Sequence, residues 1–152
     1  MKVRYFFVED TSALLDIIRS LPDHLINGAT LNIEKDLRDP STRTFISEED
    51  GRAVGFLTYR LNEPEAELLW IAVHQLSRGT GAGSILMKKF LEEIMNKNVK
   101  SVWLSTLAST VPFPPFESTR KFFEKFGFRE EKIDKNHYGP GNDRAIMRKG
   151  IG

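Results

Sequence analysis

Apolar positions along the chain repeat with two different periods, and the switches between them predict the order of elements. Val3 to Val8 is β-branched and aromatic and reads as a strand. It stops at Glu9-Asp10-Thr11-Ser12, where Asp10 or Thr11 can cap a helix. Leu14, Leu15, Ile17, Ile18 and Leu21 form one apolar helical face, which Pro22-Asp23 terminates. A weaker pattern predicts a second helix over Ala29 to Leu37, closed by Asp39-Pro40 before Arg43 to Ser47 resumes an extended run. Glu49-Asp50-Gly51 joins Thr44-Phe45-Ile46 to the apolar stretch Ala53 to Leu61 as a hairpin, and Asn62-Glu63-Pro64-Glu65 makes the next turn. Glu67 to Val73 is then nearly continuous in apolar residues, the pattern of a central strand covered on both faces.

The second half alternates strand and helix. Ile85, Leu86, Phe90, Leu91 and Ile94 recur at helical spacing, with Lys88, Lys89, Glu92 and Glu93 opposite, which predicts an amphipathic helix of about four turns. Val99 to Leu107 reads as a buried strand, and Glu117 to Phe126 as a helix stopped by Gly127 in a left-handed cap. Phe128 to Ile133 and Arg144 to Arg148 read as two last strands, joined by the polar loop Asp134 to Asp143. The predicted order is β-α-α-β-β-β-α-β-α-β-β, an α/β (α+β) fold in which a mixed sheet, antiparallel in its early part, is flanked by helices.

Composition narrows what such a fold can do. A chain of 152 residues has room for one core, so a single domain is expected to carry the whole site. Its 22 Lys and Arg against 21 Asp and Glu offer no general attraction to nucleic acid or membrane, leaving a small molecule, peptide or protein as the expected partner. The absence of cysteine removes disulfides, thiolate metal ligands and a cysteine nucleophile together. No signal peptide or membrane span is read, and the cytoplasm is the default compartment. His24, His74 and His137 lack the spacing of a zinc site, so no metal is expected.

The candidate chemistry lies between the central strand and the amphipathic helix, in Arg78-Gly79-Thr80-Gly81-Ala82-Gly83. Unpaired N–H groups and the dipole at a helix start favour phosphate oxygens, glycines allow close approach, and Arg78 adds a full positive charge. The bland alternative is a tight turn that needs positive φ. A P-loop would require Lys after the last glycine, where this chain has Ser84-Ile85. The dinucleotide fingerprint would want glycine at position 84 and, about 20 residues beyond its start, an acid; the chain has apolar Val102-Trp103 there.

With those two excluded, the loop resembles the phosphate motif of the GNAT N-acetyltransferase superfamily: Arg or Gln, two residues, Gly, one residue, then Gly or Ala. The resemblance runs from about Arg43 to the C-terminus through the hairpin, the strand Ala66 to Val73, the loop and its helix, and Phe122-Phe123-Glu124-Lys125-Phe126-Gly127-Phe128. The tail Tyr138-Gly139-Pro140-Gly141-Asn142-Asp143 resembles a loop of one bacterial and archaeal branch. It implies a mostly antiparallel sheet of about seven strands with about four helices, opened into a V between two parallel strands. It also implies direct transfer of acetyl from acetyl-CoA to a primary amine.

Carried over residue by residue, the resemblance implies that backbone groups of Ile71, Ala72 and Val73 pair with the pantetheine amides. Those of Arg78, Gly79, Thr80, Gly81, Ala82, Gly83 and Ser84 would hold the pyrophosphate. Glu67 stands where one branch keeps its catalytic glutamate and is the candidate base; the alternative is a surface carboxylate. Phe123 lines the cofactor site in this reading but occupies the position of the usual tyrosine acid, and Phe116 replaces an asparagine common in the family. Tyr138 is the candidate substitute acid, or else packs or lines substrate. His74 reads as a partly exposed loop histidine, Trp70 and Trp103 as core. Arg120, Lys121 and Lys125 are placed on a solvated face within reach of a 3′-phosphate. A non-catalytic CoA-binding module, another acyl donor and a homodimer stay open.

Overall fold

The computed structural model describes residues 1–21, 29–111 and 114–152. Its elements are β1 (Lys2–Tyr5), α1 (Thr11–Arg19), α2 (Ala29–Arg38), β2 (Thr42–Glu49), β3 (Arg52–Asn62), β4 (Glu65–Val73), α3 (Ala82–Met95), β5 (Ser101–Leu107), α4 (Pro114–Lys125), β6 (Arg129–Asp134) and β7 (Arg144–Gly150). The strands form one sheet in the order β1-β2-β3-β4-β5-β7-β6, antiparallel throughout except for β4 beside β5. The predicted order of elements and the mostly antiparallel seven-stranded sheet are both present.

Alternation along the strands sends successive side chains to opposite faces, and each face has its own core. Phe45, Leu57, Tyr59, Leu68 and Val102 pack under Leu86, Phe90 and Ile94 of α3 and Phe123 of α4. Ile46 and Phe56 face the other way, under Leu14, Ile17 and Ile18 of α1 and Ile33 of α2. A bulge in β4 interrupts this alternation: Thr58 pairs with Trp70 and Tyr59 with Leu68, so Leu69 is an extra residue. The bulge places Glu67 and Trp70, three residues apart, both on the α2 side, where each finds a partner.

Several boundaries differ from expectation for identifiable reasons. β1 ends at Tyr5 rather than Val8, because Asp10 Oδ2 accepts the Phe7 N–H at 2.8 Å and draws the chain into a 3-10 turn over Val8–Asp10. The same carboxylate is held by Arg4 at 2.9 Å, so it does not cap α1. α4 begins at Pro114, three residues earlier than predicted, consistent with proline's fit to a first helical turn. Its other end is as predicted: Gly127 sits at φ 96, the Phe128 N–H reaches Phe123 O at 3.1 Å, and the Gly127 N–H reaches Glu124 O at 3.0 Å. These are the two bonds of a Schellman cap. The Pro22-Asp23 stop lies outside the described residues.

Candidate functional site

The site begins where β4 and β5 part. Their ladder pairs Glu65 with Ser101, Ala66 with Val102 and Glu67 with Trp103, and ends there. β4 stays bonded to β3 as far as Val73, and β5 to β7 as far as Leu107. Between Leu68 to Val73 and Leu104 to Thr106 the strands splay around a cavity of about 470 Å³. β4 was expected to be covered on both faces, yet Leu69 to Val73 are only part-buried, because the splay opens beside them. An extended ligand carrying amides would find the β4 edge free of a β5 partner over this stretch.

The end wall is the start of α3. Gly81 is its N-cap, at φ 90 and ψ 4, and Gly79 sits at φ 78; a Cβ at either position would meet no atom within 4 Å. Glycine is required there by backbone conformation, not by crowding. Arg78, Gly79, Gly81, Ala82, Gly83 and Ser84 line the cavity, whereas Thr80 does not. Its hydroxyl donates to Ser77 O at 2.6 Å, turning the side chain back onto the 3-10 turn Gln75–Ser77. First-turn N–H groups, the helix dipole and Arg78 together suit a diphosphate. The cavity thus offers an anion cradle at one end and an unpaired strand edge along its side, the two features that a pantetheine diphosphate needs.

α4 closes the cavity with Ser118, Thr119, Phe122 and Phe123. Phe123 is 5% exposed and packs edge-on against Phe122 and Phe128, so it adds an apolar wall with no proton to give. Arg120 differs from its expected place. It is 7% exposed, and its Nη1 donates to Leu107 O and Ala108 O at 3.2 and 3.3 Å, pinning α4 to the end of β5. It is therefore not the solvated helix face predicted, while Lys121 and Lys125 are exposed as read.

Glu67 and Tyr138 are not in the cavity wall itself. Glu67 stands at the apex, on the last paired rung, with Oε1 3.6 Å from Arg60 Nη1. Arg60 is shared with Asp39 at 3.0 Å and Asp36 at 3.7 Å, so three carboxylates surround one guanidinium. Burial pushes the Glu67 carboxyl above the usual range, Arg60 opposes this, and Asp36 adds to it. It is a half-buried group in an acidic cluster, not the solvated edge carboxylate of the alternative. Trp70, expected in the core, packs only in part against the α1 side; it also lines the cavity and donates Nε1–H to Asp36 Oδ2 at 2.7 Å.

Tyr138 lies in the β6–β7 connection, half-buried, its ring edge-on to His137 at 5.0 Å. Burial raises the phenol pKa; Arg144 and the Ser105 hydroxyl act against the rise. Ser105 lines the cavity, and its hydroxyl acts on the Tyr138 phenol, which itself stands outside the cavity wall. Arg144 also acts on Glu67, so both candidates share one cation, itself paired with Asp134 at 2.6 Å. His74 Nδ1 accepts the Leu76 N–H at 3.1 Å and caps the local turn, as a loop histidine would. Trp103 is half-buried; His24 lies outside the described residues. Among the described residues no group of three His, Cys, Asp or Glu is arranged to hold a metal ion.

Asp36, Arg60 and Ser105 were missed as site residues. Asp36 meets β4 only through tertiary packing, which no local spacing signals, whereas Arg60 is the cross-strand neighbour of Glu67 in the β3–β4 hairpin. Ser105 left a trace as a polar residue within the run read as a buried strand, and it is the exposed position of β5.

The sequence profile described as the acetyltransferase (GNAT) family matches residues 11–128. A [Ribosomal protein bS18]-alanine N-acetyltransferase of Haemophilus influenzae is 32% identical over 102 residues, 65% of this chain and 65% of that protein. An uncharacterized N-acetyltransferase of Methanocaldococcus jannaschii is 27% identical over 106 residues, 69% of this chain and 64% of its own length. The chain thus spans just under two thirds of these relatives. In three dimensions the Escherichia coli ribosomal-protein-S18-alanine N-acetyltransferase superposes with a TM-score of 0.81 at 21% identity, covering 99% of this chain and 94% of that one. At that identity the likeness speaks for the fold.

Proposed function

The chain belongs to the acetyltransferase (GNAT) family, and we propose that it transfers an acetyl group directly from acetyl-CoA to a primary amine of a small molecule, peptide or protein. The observation that carries this reading is the splay of β4 from β5 beside the Arg78 to Ser84 helix start. A solved aminoglycoside 6′-N-acetyltransferase of the same fold, complexed with coenzyme A, supports the choice of donor; its TM-score to this chain is 0.78 at 18% identity.

In this reading the chain is one catalytic unit acting in the cytoplasm. N–H groups from Arg78 to Ser84 hold the diphosphate, and Ile71, Ala72 and Val73 pair with the pantetheine amides. Phe123 packs along the same arm. The neutral amine attacks the thioester carbonyl carbon, a C–N bond forms and the C–S bond breaks. The amine proton leaves toward Glu67, and the thiolate takes a proton from Tyr138. A free alkylamine has a pKa of about 10.4, so a carboxylate made more basic by burial, inside a cluster that attracts cations, suits this acceptor. The relatives' own names include a protein alanine amine as acceptor, and a peptide N-terminus is the first acceptor to try.

Phe123 favours one alternative, a CoA-binding module that does not turn over, since the usual hydroxyl is missing. Thermal unfolding with acetyl-CoA, CoA, ATP and NAD tests the donor. Ligand at 100 times Kd adds roughly 2.7 kcal/mol, or about 5 to 10 °C for a domain of this size. A shift confined to CoA compounds supports the loop assignment, and a larger shift with NAD or ATP refutes it. Turnover of any amine excludes the silent module, and competition among acyl-CoA chain lengths fixes the donor.

A further inference from the structure

We propose that Asp143 is a positioning residue for this reaction, its carboxylate clamping the β6–β7 connection to the end of β5 so that the Tyr138 phenol is held at the Ser105 edge of the cavity. The inference rests on the reading of Tyr138 as the group that protonates the leaving thiolate.

The connection from β6 to β7 is largely exposed, and a segment of that kind is mobile unless tied down. Asp143 ties it at three points. Its Oδ1 accepts the Asn136 N–H at 2.8 Å, closing the loop on itself. Its Oδ2 accepts from Thr110 Oγ1 at 2.8 Å, and its backbone carbonyl accepts the Ala108 N–H at 2.9 Å, joining the loop to the chain leaving β5. Between these anchors Asn136 adopts φ 58, its Oδ1 accepts the Gly141 N–H at 2.7 Å, and the Tyr138 N–H donates to Asn142 O at 3.0 Å. The backbone that carries Tyr138 is therefore fixed from both sides.

The far end of the clamp is held as well. Glu130 on β6 accepts from the Ser109 N–H at 3.1 Å and from Ser109 Oγ at 2.9 Å. The turn after β5 is gripped by Glu130 on one flank and Asp143 on the other, four residues beyond Ser105. A carboxylate suits the place because both oxygens receive donors at once, and those donors, Asn136 first and then Thr110, hold Asp143 below the usual carboxylate range. Arg144 next to it pairs with Asp134. The groups facing the phenol are Ser105 on β5, Arg144 on β7 and the His137 ring beside it.

The chain has only three tyrosines, so labelling each Cζ with carbon-13 gives three phenol signals, and Tyr138→Phe assigns the one required. In Asp143→Ala the Tyr138 phenol is expected to titrate lower, toward the ordinary value of about 10, as the loop releases it from cover. The kcat should fall roughly tenfold or more while the acetyl-CoA KM stays put. Added to Tyr138→Phe, the same change should cost nothing further. Asp143→Asn keeps one acceptor for Asn136 and offers Thr110 a donor, so it should retain turnover and the wild-type titration even if the alanine variant folds poorly. A phenol that does not move in Asp143→Ala, or losses that add to those of Tyr138→Phe, overturns the inference. Wild-type turnover in Tyr138→Phe refutes the acid role itself, and the titration then judges the clamp by itself.

Discussion

Glu67 faces Trp103 on the last rung of the β4–β5 ladder, so the carboxylate proposed as base sits where the cavity begins and not within it. Burial is the main reason its pKa is raised. A base works deprotonated, so turnover should be lost as pH falls through this raised pKa, with the acid limb above the ordinary glutamate value of about 4.3. Glu67→Gln should lower kcat/KM by roughly 10² to 10⁴-fold and abolish that limb. A pH–rate profile of the variant that matches wild type at every pH would remove Glu67 from the mechanism.

The same shift has a consequence for folding with the opposite sign from catalysis. A carboxyl whose pKa is higher folded than unfolded binds its proton more tightly in the native state. Its stabilising contribution is complete below the unfolded pKa and is lost as pH rises through the folded one. Ionised Glu67 therefore weighs against stability at neutral pH, where Asp36 and Asp39 crowd the one guanidinium of Arg60. Glu67→Gln should unfold at a higher temperature than wild type at pH 7, and the gain should vanish near pH 4. An equal gain at both pH values would mean that the charge is not its source.

Phe123 marks the clearest departure from the family's pattern. It lines the cavity while packing against Phe122 and Phe128, so a hydroxyl added there would enter at the cavity's edge. Phe123→Tyr is expected to fold, losing about 1 to 3 kcal/mol if the new hydroxyl finds no partner. If Tyr138 supplies the acid, Tyr138→Phe should cost far less turnover in the Phe123→Tyr background than alone. Equal losses in both backgrounds would show that position 123 cannot give the thiolate a proton.

The sheet and the glycine turn that opens α3 were legible in the sequence because both are written locally. Alternation and helical spacing mark the strands and α3, and Gly79 and Gly81 announce the positive φ that the turn adopts. What stayed hidden is set by tertiary geometry. The apolar run Leu68 to Val73 does not itself show that β5 leaves it after Glu67; the V came only from the family resemblance, and the strand whose pattern reads as covered on both faces is half-open. The bulge at Leu69 shifts the alternation and turns Trp70 from a core residue into a cavity wall that grips Asp36. Arg120 looked like a solvated charge because its partners, the carbonyls of Leu107 and Ala108, are side-chain-independent and leave no trace in residue type.

Two glycines of the loop separate the demands of folding from those of the ligand. Gly81 needs positive φ and has open space around it, so Gly81→Ala meets no clash but strains the backbone by about 1 to 2 kcal/mol. For a domain of this size that lowers Tm by roughly 2 to 4 °C per kcal/mol. Gly83 lies inside α3, where an added Cβ would touch the Phe122 ring and Val73 at 3.5 Å, an ordinary contact. Alanine is the better helix former, by up to about 1 kcal/mol, so Gly83→Ala should hold or raise Tm without ligand. Its methyl nevertheless fills space where α3 meets α4 across the proposed diphosphate site, and CoA should bind more weakly. Calorimetric titration with CoA, set beside Tm for both variants, gives the comparison. Weakened binding in Gly83→Ala at undiminished stability locates the diphosphate at this helix start; unchanged binding there would mean that the ligand lies elsewhere along the splay.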